Sequence, residues 1–356
     1  MDSFEGQLMK RSPLAACVLE ICDFLFDDAL LDGIWSAHRG RCYEDVLRFG
    51  ELLRLMRDAL VHHGGSAHQL FIELERDDRE PVDESNFYPK LSKTPVAVGR
   101  ALLSQCTARL MELLPSSSSS SSSSSLSPLP SLPSLPSCFD EYELIVGDGK
   151  KIKNAAKRLA PTRGYAGKLI GAKALVGMDL RSGMALAMSD SLDGLTNDVP
   201  LVPALMQQLR QLIPTRPILS VWDRQFDDLP TLRHLSSPDA DAFLVRLKQQ
   251  DYRFEIESSV STRDAQGRAV IDEIGVLSSG RGKTAATMKV RCVTLVRSGS
   301  GSGSGSEDED DVVLLSNLLD RGSFSAADLL ELYRRRWGIE QLFQLKAVPA
   351  ESCSSR

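Results

Sequence analysis

Residues 142–148 read YELIVGD, and residues 218–223 read ILSVWD. Each is a short apolar run that ends on an aspartate. Such runs, bounded by turn residues, suit strands buried on both faces. Between them, LIGAKALVGMDL (169–180) reads as another strand, Arg181, Ser182 and Gly183 supply a turn, and MALAMS (184–189) returns antiparallel. Asn197 and Asp198 offer cap positions for a helix in VPLVPALMQQLRQLI (199–213), which Pro214 and Pro217 end. The order strand, hairpin, helix, strand predicts an α/β sheet of mixed direction.

Further along, FLVRLK (243–248), YRFEIES (252–258), AVIDEIGVL (269–277), KVRCVTLV (289–296) and VVLLSNL (312–318) read as strands. They predict a β-rich insertion over about 235–318. It is interrupted at 298–311 by SGSGSGSGSEDEDD, read as a flexible acidic loop. From Phe324 the pattern turns helical in FSAADLLELYRRRWGIEQLFQLK (324–346). Ser325 is the N-cap candidate, with Asp328 three residues on to complete a capping box. Leu332, Trp337, Ile339 and Phe343 form the expected core stripe of that helix.

Upstream, VLRFGELLRLMRDALV (46–61) and VAVGRALLSQCTARLMELL (96–114) carry apolar residues at three- and four-residue spacing. Residues 1–114 are expected to form a helical N-terminal region with a possible DNA-binding role. The serine run Ser116–Ser125 and the Ser/Leu/Pro stretch after it make 115–138 a disordered linker, because such a composition buries too little apolar surface to offset its ordering entropy. The core then spans 139–346, with a short tail at 347–356.

The chain has 356 residues, 42% hydrophobic and 25% charged, an ordinary globular balance. No stretch of eighteen apolar residues suggests a membrane span, and the N-terminus lacks a signal-peptide layout. Cys17, Cys22, Cys42, Cys106, Cys138, Cys292 and Cys353 form no C-x-x-C pair, which suits reduced thiols in a cytoplasmic protein. A zinc site from Cys17, Cys22, His38 and Cys42 has spacings that match no finger. The net charge of −6 argues against nucleic acid as a partner, but the charges are segregated. From Lys150 to Arg181 there are nine basic residues (Lys150, Lys151, Lys153, Lys157, Arg158, Arg163, Lys168, Lys173 and Arg181), and Asp179 is the only acid. Arg334, Arg335 and Arg336 form a second basic cluster. Local basic patches beside a candidate site are the footprint of a DNA binder. A solvated basic surface is the plainer alternative.

Asp148 and Asp223 each end a predicted strand, where open α/β sheets hold ligands. Two like charges buried together need a compensating cation. Either aspartate alone could instead be a cap or turn residue. Tyr333, Arg336 and Glu340 fall at i, i+3 and i+7, on one face of a continuous helix.

The segment YRRRWGIEQLF (333–343) resembles the signature of insertion-sequence transposases of the type-four group: Tyr, two residues, Arg, three residues, Glu, six residues, Lys. LIVGDGKKIKNAAKRLAPTRGYAGKLIGAK (144–173) is similar to that family's first-aspartate region, and VWDRQFDD (221–228) to its second. The resemblance covers most of residues 85–346. It implies a ribonuclease H-like mixed sheet with flanking helices and a β-rich insertion, preceded by the helical N-terminal region. It implies that Asp148, Asp223 and Glu340 bind two Mg²⁺ or Mn²⁺ ions, with metal-dependent cleavage and strand transfer at transposon ends. Tyr333 and Arg336, with Lys346, would contact DNA phosphates. To these, charge and position add Lys150, Lys151 and Lys153. The implied partners are double-stranded DNA at the element's ends and at the target, and a second copy of the chain as a homodimer on DNA. The implied location is cytoplasmic, on the nucleoid, away from any membrane. Lys346 falls one position before the family lysine, whose place is taken by Ala347, and the chain ends ten residues later. The resemblance therefore implies a C-terminally truncated copy. A remnant that only binds DNA and a related metal-dependent nuclease, such as a resolvase, stand as alternatives.

Overall fold

The computed structural model of the chain describes residues 20–42, 47–76, 84–113, 135–153, 170–191, 193–237, 240–248, 252–279, 286–296 and 311–344. Most of the expected linker, the basic stretch at 154–169, the Gly/Ser acidic loop but for Asp311, and Lys346 with the tail lie outside them. The described residues form two compact units, residues 20–113 and residues 135–344. Among them, no helix is long and apolar enough to cross a membrane.

The first unit is helical: α1 (Asp28–His38), α2 (Phe49–His62), α3 (Ala67–Arg76), α4 (Glu84–Lys93) and α5 (Val96–Leu113). Asp27 caps α1, its carboxylate accepting from Leu30 N at 3.1 Å. Leu31, Ile34 and Trp35 of α1 pack with Phe49 and Leu52 of α2, Phe71 of α3 and Phe87 of α4. Trp35 and Phe49 stack with ring centroids 5.2 Å apart, and Lys90 Nζ sits 4.1 Å from the Trp35 centroid.

The second unit is built on one nine-stranded sheet, in the order β3-β2-β1-β4-β5-β9-β8-β7-β6. The strands are β1 (Glu143–Lys153), β2 (Ile170–Asp179), β3 (Ala185–Ser191), β4 (Ile218–Trp222), β5 (Ala242–Arg246), β6 (Arg253–Arg263), β7 (Ala269–Ser279), β8 (Ala286–Leu295) and β9 (Val312–Ser316). β1, β2 and β3 form an antiparallel meander, while β1, β4 and β5 run parallel. This half of the sheet, with helices α6 (Val202–Leu212), α7 (Leu229–Leu235), α8 (Ala326–Arg334) and α9 (Trp337–Gln344), is the expected ribonuclease H-like arrangement. The β-rich stretch does not form a separate layer. β5 belongs to the parallel part, and β9 returns antiparallel beside it to carry β8, β7 and β6 outward in the same sheet.

Strand alternation divides the core into two layers. Ile145, Ile218 and Trp222 face the cluster holding Leu205 and Leu209 of α6 and Leu232 of α7. Leu144, Val146, Leu219 and Val221 face the cluster holding Leu329, Leu332 and Ile339. These side chains are almost wholly buried, each contributing roughly 1.5–3 kcal/mol relative to exposure. The sheet thus pins α8 and α9 to one face.

Two expectations about these elements need correction. β1 does not end at Asp148. It continues to Lys153 because β2 pairs with it all the way, Asp148 opposite Val176 and Lys151 opposite Lys173. The segment 324–346 is also not one helix. The carbonyls of Tyr333, Arg335 and Arg336 accept from the amides three residues on, at 3.0, 3.0 and 3.2 Å. The turn tightens there and separates α8 from α9. Leu332 and Ile339 remain buried as expected, but the break turns Trp337 outward, 60% exposed.

Candidate active site

The parallel ladder between β1 and β4 aligns Glu143 with Ile218 and Val146 with Val221. Two residues beyond that last pair stand Asp148 on one strand and Asp223 on the other. By alternation both carboxylates continue the Leu144–Val146 and Leu219–Val221 face, the one that α8 and α9 cover. The site is therefore an extension of the apolar layer. The packing that seats Leu332 and Ile339 also brings the C-terminal signature to the two aspartates.

Glycines on either side of Asp148 serve the opposite face. A Cβ at Gly147 would lie 2.0 Å from the Trp222 ring, and one at Gly149 would lie 2.4 Å from the Asp198 carboxyl. Trp222 can cross β1 only because residue 147 has no side chain. Asp198 does not cap its helix through its side chain. Its Oδ1 lies 2.7 Å from Lys173 Nζ, and both side chains are buried. Lys173 also donates to the Thr196 carbonyl at 3.0 Å. Lys173 therefore leaves the basic patch in which its sequence position put it. The G-D-G pattern was the available signal that both faces of β1 are crowded here.

Asp148 Oδ1 accepts from Gly149 N at 2.8 Å. Burial pushes its pKa up to about 6. The Gly149 amide and Arg336 pull it down, and the charges of Asp223 and Glu340 push it up further. Asp223 begins a 3₁₀ turn, Arg224–Phe226, and its Oδ1 accepts from the Tyr333 hydroxyl at 3.4 Å. Burial first, and Asp223 with it, pushes the Tyr333 hydroxyl up to about 12. Glu340, in the first turn of α9, accepts from Arg336 Nη2 at 3.1 Å. Arg336 Nη1 stands 4.0 Å from Asp148 Oδ2. Burial opposes the charge on Arg336, yet Tyr333, Asp223, Asp148 and Glu340 together hold its pKa above the ordinary guanidinium value. The tightened turn keeps Arg336 over Tyr333, its Cζ 5.8 Å from the ring centroid.

Of the residues singled out in the sequence, Asp148, Asp223, Tyr333, Arg336 and Glu340 meet in one place. Lys150 and Lys151 are exposed on β1 just past Asp148, and alternation puts Lys150 on the carboxylate side. Lys153 ends the strand. Arg334 and Arg335 do not form a free basic cluster with Arg336, since both pair with Glu331 at 2.8 Å.

A family model described as the transposase DDE domain matches residues 140–351. The chain belongs to the DDE transposase family. That family is one of DNA transposition, carried out by metal-dependent phosphoryl transfer. A solved structure of piggyBac transposase, a synaptic complex with hairpin DNA, is similar to this chain at TM-score 0.41 and 12% identity, over 93% of this chain and 68% of that one. No curated protein matches the chain.

The donor set suits the divalent cations that DDE transposases use. Three carboxylates supply only hard oxygen ligands. They also repel one another, as the upward push of Asp223 and Glu340 on Asp148 indicates, and a cation would relieve that repulsion. Among the described residues, however, no three His, Cys, Asp or Glu side chains are gathered closely enough to hold a metal ion. Arg336 reaches between two of the three carboxylates instead.

Proposed function

We propose that this chain is a DNA transposase of the insertion-sequence type-four group, in which Asp148, Asp223 and Glu340 bind two Mg²⁺ or Mn²⁺ ions for cleavage and strand transfer at transposon ends. One observation supports the reading: the carboxylates of Asp148 on β1 and Glu340 on α9 flank Arg336, and that of Asp223 at the end of β4 takes the Tyr333 hydroxyl beside it. Bound there, the cations supply the charge that activates an attacking water or DNA 3′-hydroxyl and stabilises the leaving oxygen of an in-line displacement.

The chain's own residues do the rest. Asp148 is held in its rotamer by the Gly149 amide, and Asp223 by the Tyr333 hydroxyl. Arg336 offers a planar fork of donors suited to a phosphate near the scissile bond. Tyr333 and Lys346 join it in contacting DNA phosphates, and Lys150, Lys151 and Lys153 steady the backbone further along. Double-stranded DNA of the element's ends and of the target is the substrate, handled by a homodimer that pairs the ends on the nucleoid of the cytoplasm.

The test is cleavage of a labelled duplex carrying the element's own end, with Mg²⁺ or Mn²⁺, beside Asp223→Ala and Glu340→Ala. End-specific nicking by the wild type and by neither variant supports the reading. Salt-sensitive binding without cleavage under either metal would instead favour a chain that only binds DNA. Cleavage governed by DNA shape and indifferent to end sequence would point to a nuclease of the same fold.

A further inference from the structure

Two buried arginines in the second unit are held very differently. Arg291 is fully buried, and its Nε and Nη2 donate to the two Asp272 oxygens at 2.9 and 2.7 Å. Its Nη1 donates to the Phe324 carbonyl at 2.7 Å, so every nitrogen is engaged. Arg336 is 7% exposed and lies against the Tyr333 side chain, but it is less completely bonded than Arg291. Nη2 bonds Glu340 at 3.1 Å, Nη1 stands 4.0 Å from Asp148, and the buried Nε has no hydrogen-bond partner. A buried polar atom left unsatisfied is costly, because it has given up water for nothing. A guanidinium with an orphaned Nε and one long contact is therefore poised to exchange partners.

That guanidinium reaches between Asp148 and Glu340, two of the three proposed cation ligands. A fixed positive charge there offsets the carboxylates' mutual repulsion. It also raises the cost of bringing a divalent cation to the same oxygens.

We infer that Arg336 is an internal counter-cation that keeps divalent metal out of the carboxylate site until a DNA phosphate draws its guanidinium away. The inference rests on the reading of Asp148, Asp223 and Glu340 as cation ligands. It follows that DNA and metal bind with positive coupling, each raising the other's affinity by the same factor. It follows too that the metal-free protein resists loading in the absence of DNA.

The probe is Mn²⁺ alone, titrated into the full-length protein and followed by the electron paramagnetic resonance of the free ion, so no turnover is needed. Arg336→Gln, without DNA, is expected to bind Mn²⁺ about tenfold more tightly than the wild type. Adding Glu340→Gln to that variant should abolish the gain. A role confined to structure predicts the opposite sign, because removing a buried arginine would loosen the site. A second arm needs no substitution: a short duplex should tighten Mn²⁺ binding to the wild type by a similar factor, and should have little further effect on Arg336→Gln. If the wild type binds Mn²⁺ in a Glu340-dependent way and neither Arg336→Gln nor duplex tightens it, the inference is overturned while the site reading stands. If no form of the protein binds Mn²⁺ in a Glu340-dependent way, both fall.

Discussion

Gly149 lies against the carboxylate of Asp198, so closely that a Cβ on residue 149 would stand 2.4 Å from its Cγ and its Oδ1. Asp198 has no room to retreat, because it is buried and tied to Lys173 at 2.7 Å. Gly149→Ala must therefore shift either β1 or the ion pair, a strain of about 1–3 kcal/mol in urea unfolding. The same substitution displaces the amide that donates to Asp148, so cleavage should fall by more than the loss of folded protein explains. Replacing Asp198 and Lys173 together by leucine and methionine removes the charged pair without leaving one buried charge alone. If Gly149→Ala unfolds at the wild-type urea concentration, the close packing described here is not what holds this strand.

Asp148 makes the stability of the metal-free protein depend on pH in an uncommon direction. Its folded pKa is raised to about 6, against an ordinary 3.8. Between those values the folded protein keeps a proton that the unfolded chain releases. Stability from this group is therefore greatest below about pH 4, falls as pH rises through 6, and stays lowered above. The shift corresponds to roughly 3 kcal/mol. With a chelator present, Asp148→Asn should stabilise the protein at pH 8 by roughly that amount and do little at pH 3.5. Equal effects at both pH values would show that the carboxylate is not held in this environment.

Arg291 ties three parts of the second unit together. It bonds Asp272 on β7 from its place on β8 and reaches the Phe324 carbonyl just ahead of α8. Asp272 also takes Arg321 at 3.2 Å. Arg291→Met leaves a buried carboxylate short of its main partner and should cost about 3–5 kcal/mol. Pairing it with Asp272→Leu should recover part of that loss. A double variant less stable than the single would contradict this account.

Ser325 and Asp328 close the capping box that starts α8. The Asp328 amide donates to Ser325 Oγ at 3.1 Å, and the Ser325 amide donates to Asp328 Oδ2 at 3.3 Å. Ser325→Ala should cost about 1 kcal/mol and fray the helix that carries Tyr333. Amide hydrogen exchange in the first turn of α8 would report the fraying directly.

Much of this was readable from local pattern. The apolar runs located the strands, and the serine three residues before an aspartate located the start of α8. The alignment of Asp148 with Asp223 was legible only as two similar strand ends. What placed them side by side is a parallel register set by long-range pairing. The extension of β1 through GKKIK has only Ile152 as an apolar signal, and it is the pairing with β2 that carries the strand on. The break at Arg335 and Arg336 carries no proline, and its one local sign is Gly338, whose amide closes part of the tightened turn. Asp198 looked like a cap because cap preference is a local rule, whereas its partner Lys173 lies on β2, far away in sequence.

The single sheet carries a kinetic consequence. β5, the outer parallel strand, is flanked on its far side only by β9, with Arg246 opposite Leu314. The chain makes its whole excursion through β6, β7 and β8 before it supplies that partner. Closing so long a loop costs entropy before any pairing offsets it. Until the return, β5 presents a bare hydrogen-bonding edge of the kind that recruits strands from other molecules. Refolding of this unit should therefore become slower and more concentration-sensitive when β9 is weakened, even where the finished protein loses little stability.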